Sequence, residues 1–437
     1  MGRKRSYAPL DVYMNNRKVG QYFREPDGAF AFSYAPEWLA WENTLPISRS
    51  LPLRAERYVG QPVIAVFENL LPDSDDIRRR VAERVDADGV DAYSLLARIG
   101  RDCVGALQFL PVGEKPGDSR VLTGEPLSED QIAAMLKDLA RTPLGIRAER
   151  DFRISVAGAQ EKTALLFHEG QWLEPTGTTP TTHILKPPIG TLPNGMDLSN
   201  SVENEHFCLR LMAAFGLPVA PTEIATFADA KTLVIERFDR LRARDGRLIR
   251  LPQEDCCQAL SVPPTRKYQN EGGPGILEIC GLLTGSDEPM RDRANFLKAN
   301  ILFWLIGATD GHAKNFSIAL LPGGRFTMTP LYDVLTVQPS LDAGQIQIKN
   351  MKLAMWVGKS RHYKVSEIQG RHFVETGLAA GFSREQVARI FKGIVAKAEE
   401  AFATAMTEMP IGFPEELFAS VKRGFDQRVV RLTDGVA

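Results

Sequence analysis

Residues 301–308, "ILFWLIGA", are the longest apolar run of the chain, and Asp310, His312, Lys314 and Asn315 follow it within a few positions. An apolar run this short fits a core segment and falls far below the roughly 20 residues that span a bilayer. Polar side chains crowded at the end of a buried segment must satisfy one another or receive a polar visitor. An unpartnered buried polar group costs about 2–7 kcal/mol.

The rest of the chain has to build the surroundings for that junction. With 437 residues it is long enough for two or three packed units. Its 53 Lys and Arg against 54 Asp and Glu leave a formal charge of −1, which gives no global pull toward nucleic acid or membrane. The basic N-terminus "MGRKRSYAPL" lacks an apolar stretch behind it, so no secretory signal is expected. Cys103, Cys208, Cys256, Cys257 and Cys280 are scattered and form no C-x-x-C pair. They read as buried small hydrophobes in a reducing compartment, and a cytoplasmic location is expected.

The expected fold class is α+β, with a mixed α/β N-terminal part and a mostly helical C-terminal part. "LDVYMNNRKVGQYFRE" alternates apolar and polar residues around an Asn-Asn turn, and "GAFAFSYA" repeats the pattern. "DSDDIRRRVAERV" predicts a helix capped by Ser74 or Asp75, and a second helix is predicted over 131–140. Between them, "GEKPGDSRVLTGEPLSED" reads as a linker. Strands are predicted across 152–186, a helix in "SVENEHFCLRLMAAFGL" and a buried strand in "KTLVIERFD". Beyond about residue 251 strand signals almost vanish. The expected domains are 1–112, 113–250 and 251–437.

The residue types at the junction suggest a chemistry. Asp310 and Asn315 have the D-x-x-x-x-N spacing of a kinase catalytic loop, in which the aspartate faces a hydroxyl and the asparagine a metal ion. The same spacing suits a solvated loop after a core helix. Asp333, in "MTPLYDVLT", adds a carboxylate at the end of a strand-like segment, so two carboxylates and an amide could hold an oxygen-loving cation. A turn-capping aspartate fits Asp333 as well. Lys186, in "THILKPP", ends a strand from which it could reach phosphates or simply snorkel at the surface. Glu205 or Glu203 could pair with it. "ISVAGAQEKTAL" offers small residues around Gly158 and a charge at Lys162, as a phosphate loop or an ordinary hairpin turn would. The strand end at Glu236, Arg237 and Phe238 could bond an adenine edge. His312 has no Cys or second His at ligand spacing, which argues against zinc. No G-x-S-x-G elbow is present.

Taken together, "NLLPDS", "IGRDCVGALQ", "DFRISVAGAQEKTALL", "PTTHILKPPIG", "IERFDR", "RLPQEDCCQ", "GGPGI" and "LIGATDGHAKNFS" resemble, in this order, the HipA-family toxin kinases. The resemblance covers nearly the whole chain. It implies a two-lobed kinase fold related to the phosphoinositide kinases and a serine/threonine-protein kinase of a type II toxin–antitoxin module. It implies ATP and Mg²⁺ as cofactors, Asp310 as catalytic base, and Asn315 and Asp333 as metal ligands. Lys186 would contact the phosphates with His312 beside them. Residues 236–238 would cradle adenine, and Ala157, Gly158, Ala159, Gln160, Glu161 and Lys162 would cover the phosphates. Ser155 would be a self-phosphorylation site that switches the enzyme off. The implied partners are a small helix-turn-helix antitoxin of the HipB type, operator DNA through that complex, and a protein substrate such as glutamyl-tRNA synthetase. A small-molecule kinase and a DNA-bound corepressor are the competing readings.

Overall fold

The structure, a computed structural model, describes residues 7–139, 144, 155, 157–158 and 160–433. The chain divides into two units, each assembled from three stretches of sequence. The first comprises Met1–Pro187, Ala225–Thr265 and Ile318–Phe326. The second comprises Pro188–Ile224, Arg266–Ser317 and Thr327–Ala437.

In the first unit an antiparallel sheet runs in the spatial order Tyr58–Val59, Phe30–Tyr34, Arg17–Arg24, Leu10–Met14, Leu107–Pro111. Asn15 and Asn16 both take positive φ, at 43° and 69°, as the tight turn of the first hairpin requires. Helices Gln61–Glu68 and Ala92–Ile99 cover one face of this sheet. There the Tyr22 ring lies 4.3 Å from Phe67, and Phe67 lies 5.3 Å from Phe109. Helix Asp75–Arg84 starts on Ser74, whose hydroxyl accepts from the Ile77 N–H.

A six-stranded sheet follows, in the order Thr222–Phe227, Ala230–Glu236, His183–Lys186, Thr163–His168, Gln171–Pro175, Gly124–Pro126. Helix Glu129–Lys137 begins two residues earlier than expected, at a Ser128/Gln131 capping box, and packs Ile132, Leu136 and their neighbours against Leu165, Leu185 and Val234. The stretch read as a linker contributes the edge strand Gly124–Pro126 of this sheet.

The second unit is mostly helical. Helix Pro289–Ile306 is buried along nearly its whole second half, as a helix apolar on every face must be. Helices Ile276–Leu283 and Glu415–Thr433 pack on it, and Arg384–Thr407 packs on Ser201–Ala214. The expected near-absence of strands beyond residue 251 does not hold. Gln253–Asp255, Ser317–Leu321, Arg325–Met328, Lys352–Val357 and His362–Lys364 are all strands. They are three to six residues long, too short for period-two alternation to stand out from a loop. Among the described residues no helix is long and apolar enough to cross a membrane.

Candidate active site

In the second unit, helix Pro289–Ile306 ends at Gly307, which takes the left-handed conformation and turns the chain out of the helix. The loop that follows folds around one carbonyl. The Asp310 oxygen accepts from the His312 N–H at 2.7 Å and from Asn315 Nδ2 at 2.9 Å, while Ala313–Asn315 makes a 3₁₀ turn. With its Nδ2 engaged there, Asn315 has Oδ1 for a cation. The Asp310 carboxylate is exposed and accepts from the Tyr268 hydroxyl at 2.6 Å. His312 is buried, with its ring edge-on to Tyr268 at 5.0 Å. Gly311 passes so close to Phe303 that a Cβ there would lie 2.6 Å from the ring.

Asp333 arrives beside this loop. Its neighbour Tyr332 donates its hydroxyl to the carbonyl of Lys314, itself the neighbour of Asn315, at 2.8 Å. The structure thus brings together the segments carrying Asp310, Asn315 and Asp333. Asp333 stands at φ 59°, a left-handed conformation uncommon for a residue other than glycine. Backbone strain of this kind is concentrated at functional sites. Helix Ser201–Ala214, also in this unit, carries Glu203 and Glu205, both buried.

The first unit holds the loop residues. Ser155 is fully buried; its hydroxyl donates to the Leu70 carbonyl at 2.7 Å, and its N–H donates to the Asp102 carbonyl at 2.9 Å. Gly158, at φ 113°, bridges to Pro72 and accepts from the Asp73 N–H at 3.1 Å. Lys162 Nζ donates to the Ala157 carbonyl at 2.6 Å; the left-handed conformation favours glycine at 158, and a Cβ there would displace the Lys162 ammonium. Glu161 pairs with Arg80 at 2.5 Å, and Gln160 Nε2 donates to the Pro187 carbonyl at 3.1 Å. Ala159 lies outside the described residues.

Gln160 thus ties the loop to the chain just past Lys186. Lys186 is buried at the end of strand His183–Lys186, opposite Leu233 of strand Ala230–Glu236. At the other end of that register Glu236 is exposed opposite His183. Arg237 turns inward. Its N–H donates to the Thr182 carbonyl at 2.9 Å, and its guanidinium reaches Asp239, Thr181, the Cys103 carbonyl and Asp102.

Arg237, Arg240, Arg250, Asp102 and Asp239 form one buried charged network, no side chain of which is more than 5% exposed. Burial acts to raise the Asp102 carboxyl. The guanidinium groups of Arg240, Arg250 and Arg237 outweigh it and hold Asp102 at about 2. Burial likewise opposes ionised Asp239, and Arg237 and Arg240 hold it well below the usual carboxylate range.

Tyr268, Leu70 and Asp102 were not assigned a place here by sequence reasoning. A signal existed for two of them. "NLLPDS" and "IGRDCVGALQ" carried the resemblance without having a role; the first seats Ser155 and Gly158, and the second grips Arg237. Nothing in the letters marked Tyr268, which meets Asp310 across 42 residues.

The donor set suits a hard divalent cation. Asn315 Oδ1 and the Asp333 carboxylate are oxygen ligands of the kind magnesium takes, with phosphate oxygens and water completing its shell. Among the described residues no group of three or more His, Cys, Asp or Glu is placed to hold a metal ion.

Comparison with known proteins gives the same direction. Residues 10–110 match the family model described as HipA N-terminal domain, and residues 154–402 match the HipA-like C-terminal domain. The chain is 37% identical over 403 residues to the protein named "Putative kinase Y4mE" of Sinorhizobium fredii, covering 91% of this chain and 92% of that one. It is 27% identical over 342 residues to the serine/threonine-protein kinase toxin HipA of Shewanella oneidensis, covering 75% of each. Its fold matches a chain in the solved structure of the Shewanella oneidensis MR-1 toxin–antitoxin complex of HipA, HipB and operator DNA, with a TM-score of 0.81 at 22% identity. That match covers 98% of this chain and 99% of the other. By two family domains and by near-full-length similarity to a named kinase, the chain belongs to the HipA family.

Proposed function

We propose that this protein is the toxin of a toxin–antitoxin pair and acts as a serine/threonine-protein kinase using ATP and Mg²⁺. The observation that carries the reading is the loop folded around the Asp310 carbonyl, which holds Asp310 and Asn315 on one short turn. Asp310 would take the proton of the substrate hydroxyl as its oxygen bonds to the γ-phosphorus and the bond to the β-phosphate oxygen breaks, releasing ADP. Bound Mg²⁺, held by Asn315 and Asp333, would neutralise charge on the phosphates.

Lys186, Lys162, His312 and the small residues Ala157, Gly158 and Ala159 would address the phosphates, with Gln160 and Glu161 anchoring their loop. Glu236 and Phe238 would meet adenine. Arg237, with its guanidinium and N–H engaged inside the protein, would prop that strand end instead of touching the base. The solved relative assembles with HipB and operator DNA. By analogy, a HipB-type antitoxin would neutralise this chain and carry it to DNA as a corepressor. The substrate would be an aminoacyl-tRNA synthetase, glutamyl-tRNA synthetase first, and its phosphorylation would arrest growth and favour persistence.

Self-phosphorylation on Ser155 would end the activity, because about two added negative charges would repel the nucleotide phosphates. The buried Ser155 hydroxyl has to leave Leu70 before it can react. Intact-mass measurement after incubation with Mg-ATP tests the proposal. The wild type should gain one phosphate, mapped to Ser155. Asp310→Gln should slow this by about 10²–10⁴-fold. No gain by folded, initially unmodified wild type would overturn the reading.

A further inference from the structure

The strained backbone of Asp333, at φ 59°, needs neighbours that over-determine it. Upstream, the Leu331 N–H donates to the Pro218 carbonyl at 2.9 Å and the Leu331 carbonyl accepts from the Ala220 N–H at 2.8 Å. Downstream, Thr336 is held by a side chain that copies a backbone partner. Asn204 Oδ1 accepts from the Thr336 N–H at 3.0 Å, and Asn204 Nδ2 donates to the Thr336 carbonyl at 2.8 Å. Thr336 Oγ1 in turn donates to the Ile306 carbonyl at 2.5 Å and accepts from the Gln338 N–H at 3.0 Å. Next to it, the Val337 N–H donates to the Gly307 carbonyl at 3.1 Å.

Asn204 is 3% exposed and Thr336 2%. The pair therefore joins three things deep in the second unit: helix Ser201–Ala214, the segment just after Asp333, and the helix end just before Asp310. Each bond is directional, and only a side chain with one donor and one acceptor at this spacing can make both contacts of Asn204.

We infer that Asn204 and Thr336 are positioning residues that hold the Asp333 carboxylate in register with Asn315 Oδ1, so that both can face one Mg²⁺. The inference rests on the kinase reading above. It concerns the metal-dependent part of nucleotide binding and leaves metal-free binding of ATP to other groups.

The test is equilibrium binding of ATP by calorimetry, with and without Mg²⁺, for wild type, Thr336→Val, Asn204→Asp and Thr336→Ser. Thr336→Val loses the hydroxyl, and Asn204→Asp keeps the acceptor but loses the donor. Both should lose about tenfold or more of the Mg²⁺-dependent gain in affinity while metal-free affinity stays within about twofold. The Mg²⁺ concentration for half-maximal Ser155 phosphorylation should rise in parallel. Thr336→Ser, which keeps the hydroxyl, should restore wild-type metal dependence. Unchanged Mg²⁺ dependence in folded variants would overturn the inference, as would an equal loss of metal-free affinity or failure of the serine to restore function. If Asn204→Asp, which buries a carboxyl against the Thr336 carbonyl, does not fold, the near-isosteric Thr336→Val decides. Loss of folding in both would assign the pair to stability alone and overturn the inference. A wild type that binds ATP without any Mg²⁺ effect would instead sink the kinase reading itself.

Discussion

The knot around Asp102 and the knot around Thr336 both hold irregular backbone, and they do so with opposite chemistry. Around Asp102, three arginines and two aspartates are buried together, and the turn at Cys103 and Gly105 is gripped by guanidinium groups. Around Thr336 the contacts are amide, hydroxyl and backbone, with Arg428 entering only to bond the Leu305 carbonyl and Gln338. Charged partners are unforgiving when one is removed, because the others stay buried and uncompensated. Neutral partners are weaker one by one, about 1 kcal/mol each, but their geometry does not change as carboxylates titrate. The loop proposed to transfer phosphate is supported by the second kind.

The sharpest way to break this comparison is Asp102→Asn, which leaves Arg237, Arg240 and Arg250 with Asp239 alone. Removing a buried ion-pair partner costs about 3–5 kcal/mol, and urea unfolding should show a loss of that size. A loss below about 1 kcal/mol would mean that water or relaxation compensates the arginines, and the contrast would collapse. In the wild type the Asp102 contribution has a definite pH window. Its folded value, about 2, lies below the unfolded value of about 3.9, so the stability is present above the latter and lost as pH falls through about 2.

Glu254 sharpens the comparison from the other side, as a buried carboxyl on which burial outweighs the pull of Arg49. Burial pushes it up to about 8, although one oxygen accepts from the Arg49 N–H at 2.7 Å. The folded protein then keeps a proton that the unfolded chain gives up above about 4.3, so stability falls as pH rises from there toward 8. Glu254→Gln should flatten that slope and stabilise the protein at pH 8 by roughly 1–3 kcal/mol. The urea midpoint followed over this range checks it, and a slope unaltered by the substitution would refute the assignment.

The smallest expected effect is at Tyr268→Phe. It removes one hydrogen bond to an exposed carboxylate, about 1 kcal/mol, so kcat should fall by roughly three- to tenfold. ATP KM and the unfolding midpoint should stay in place. A fall in kcat above about 10²-fold would make Tyr268 a participant in the chemistry and not a support for it.

What was legible in the sequence is local. The Asn15–Asn16 hairpin, the Ser74 cap and the strand ending at Lys186 all depend on residues within a few positions of one another. The Asp310–Asn315 turn is local too, and its internal hydrogen bond spans five residues. What stayed hidden is the choice of distant partners. Asp102 meets its arginines across 135 to 148 residues, Ser155 meets Leu70 across 85, and Asn204 meets Thr336 across 132. Periodicity cannot report such pairings, because it registers which face of an element a residue occupies and not which distant residue that face will meet.

The interleaving of the two units bears on how the protein is made. Strand Ala230–Glu236 lies beside His183–Lys186, and the first unit also needs residues 318–326. At about 5–20 residues per second, a ribosome takes roughly 7–28 s to go from residue 187 to residue 326. Until residue 236 has been made, the nascent chain carries Lys186 on an unfinished sheet edge, and until residue 310 has been made it lacks the aspartate proposed as the base. Under the proposed reading, products truncated before that residue would have no phosphoryl-transfer activity.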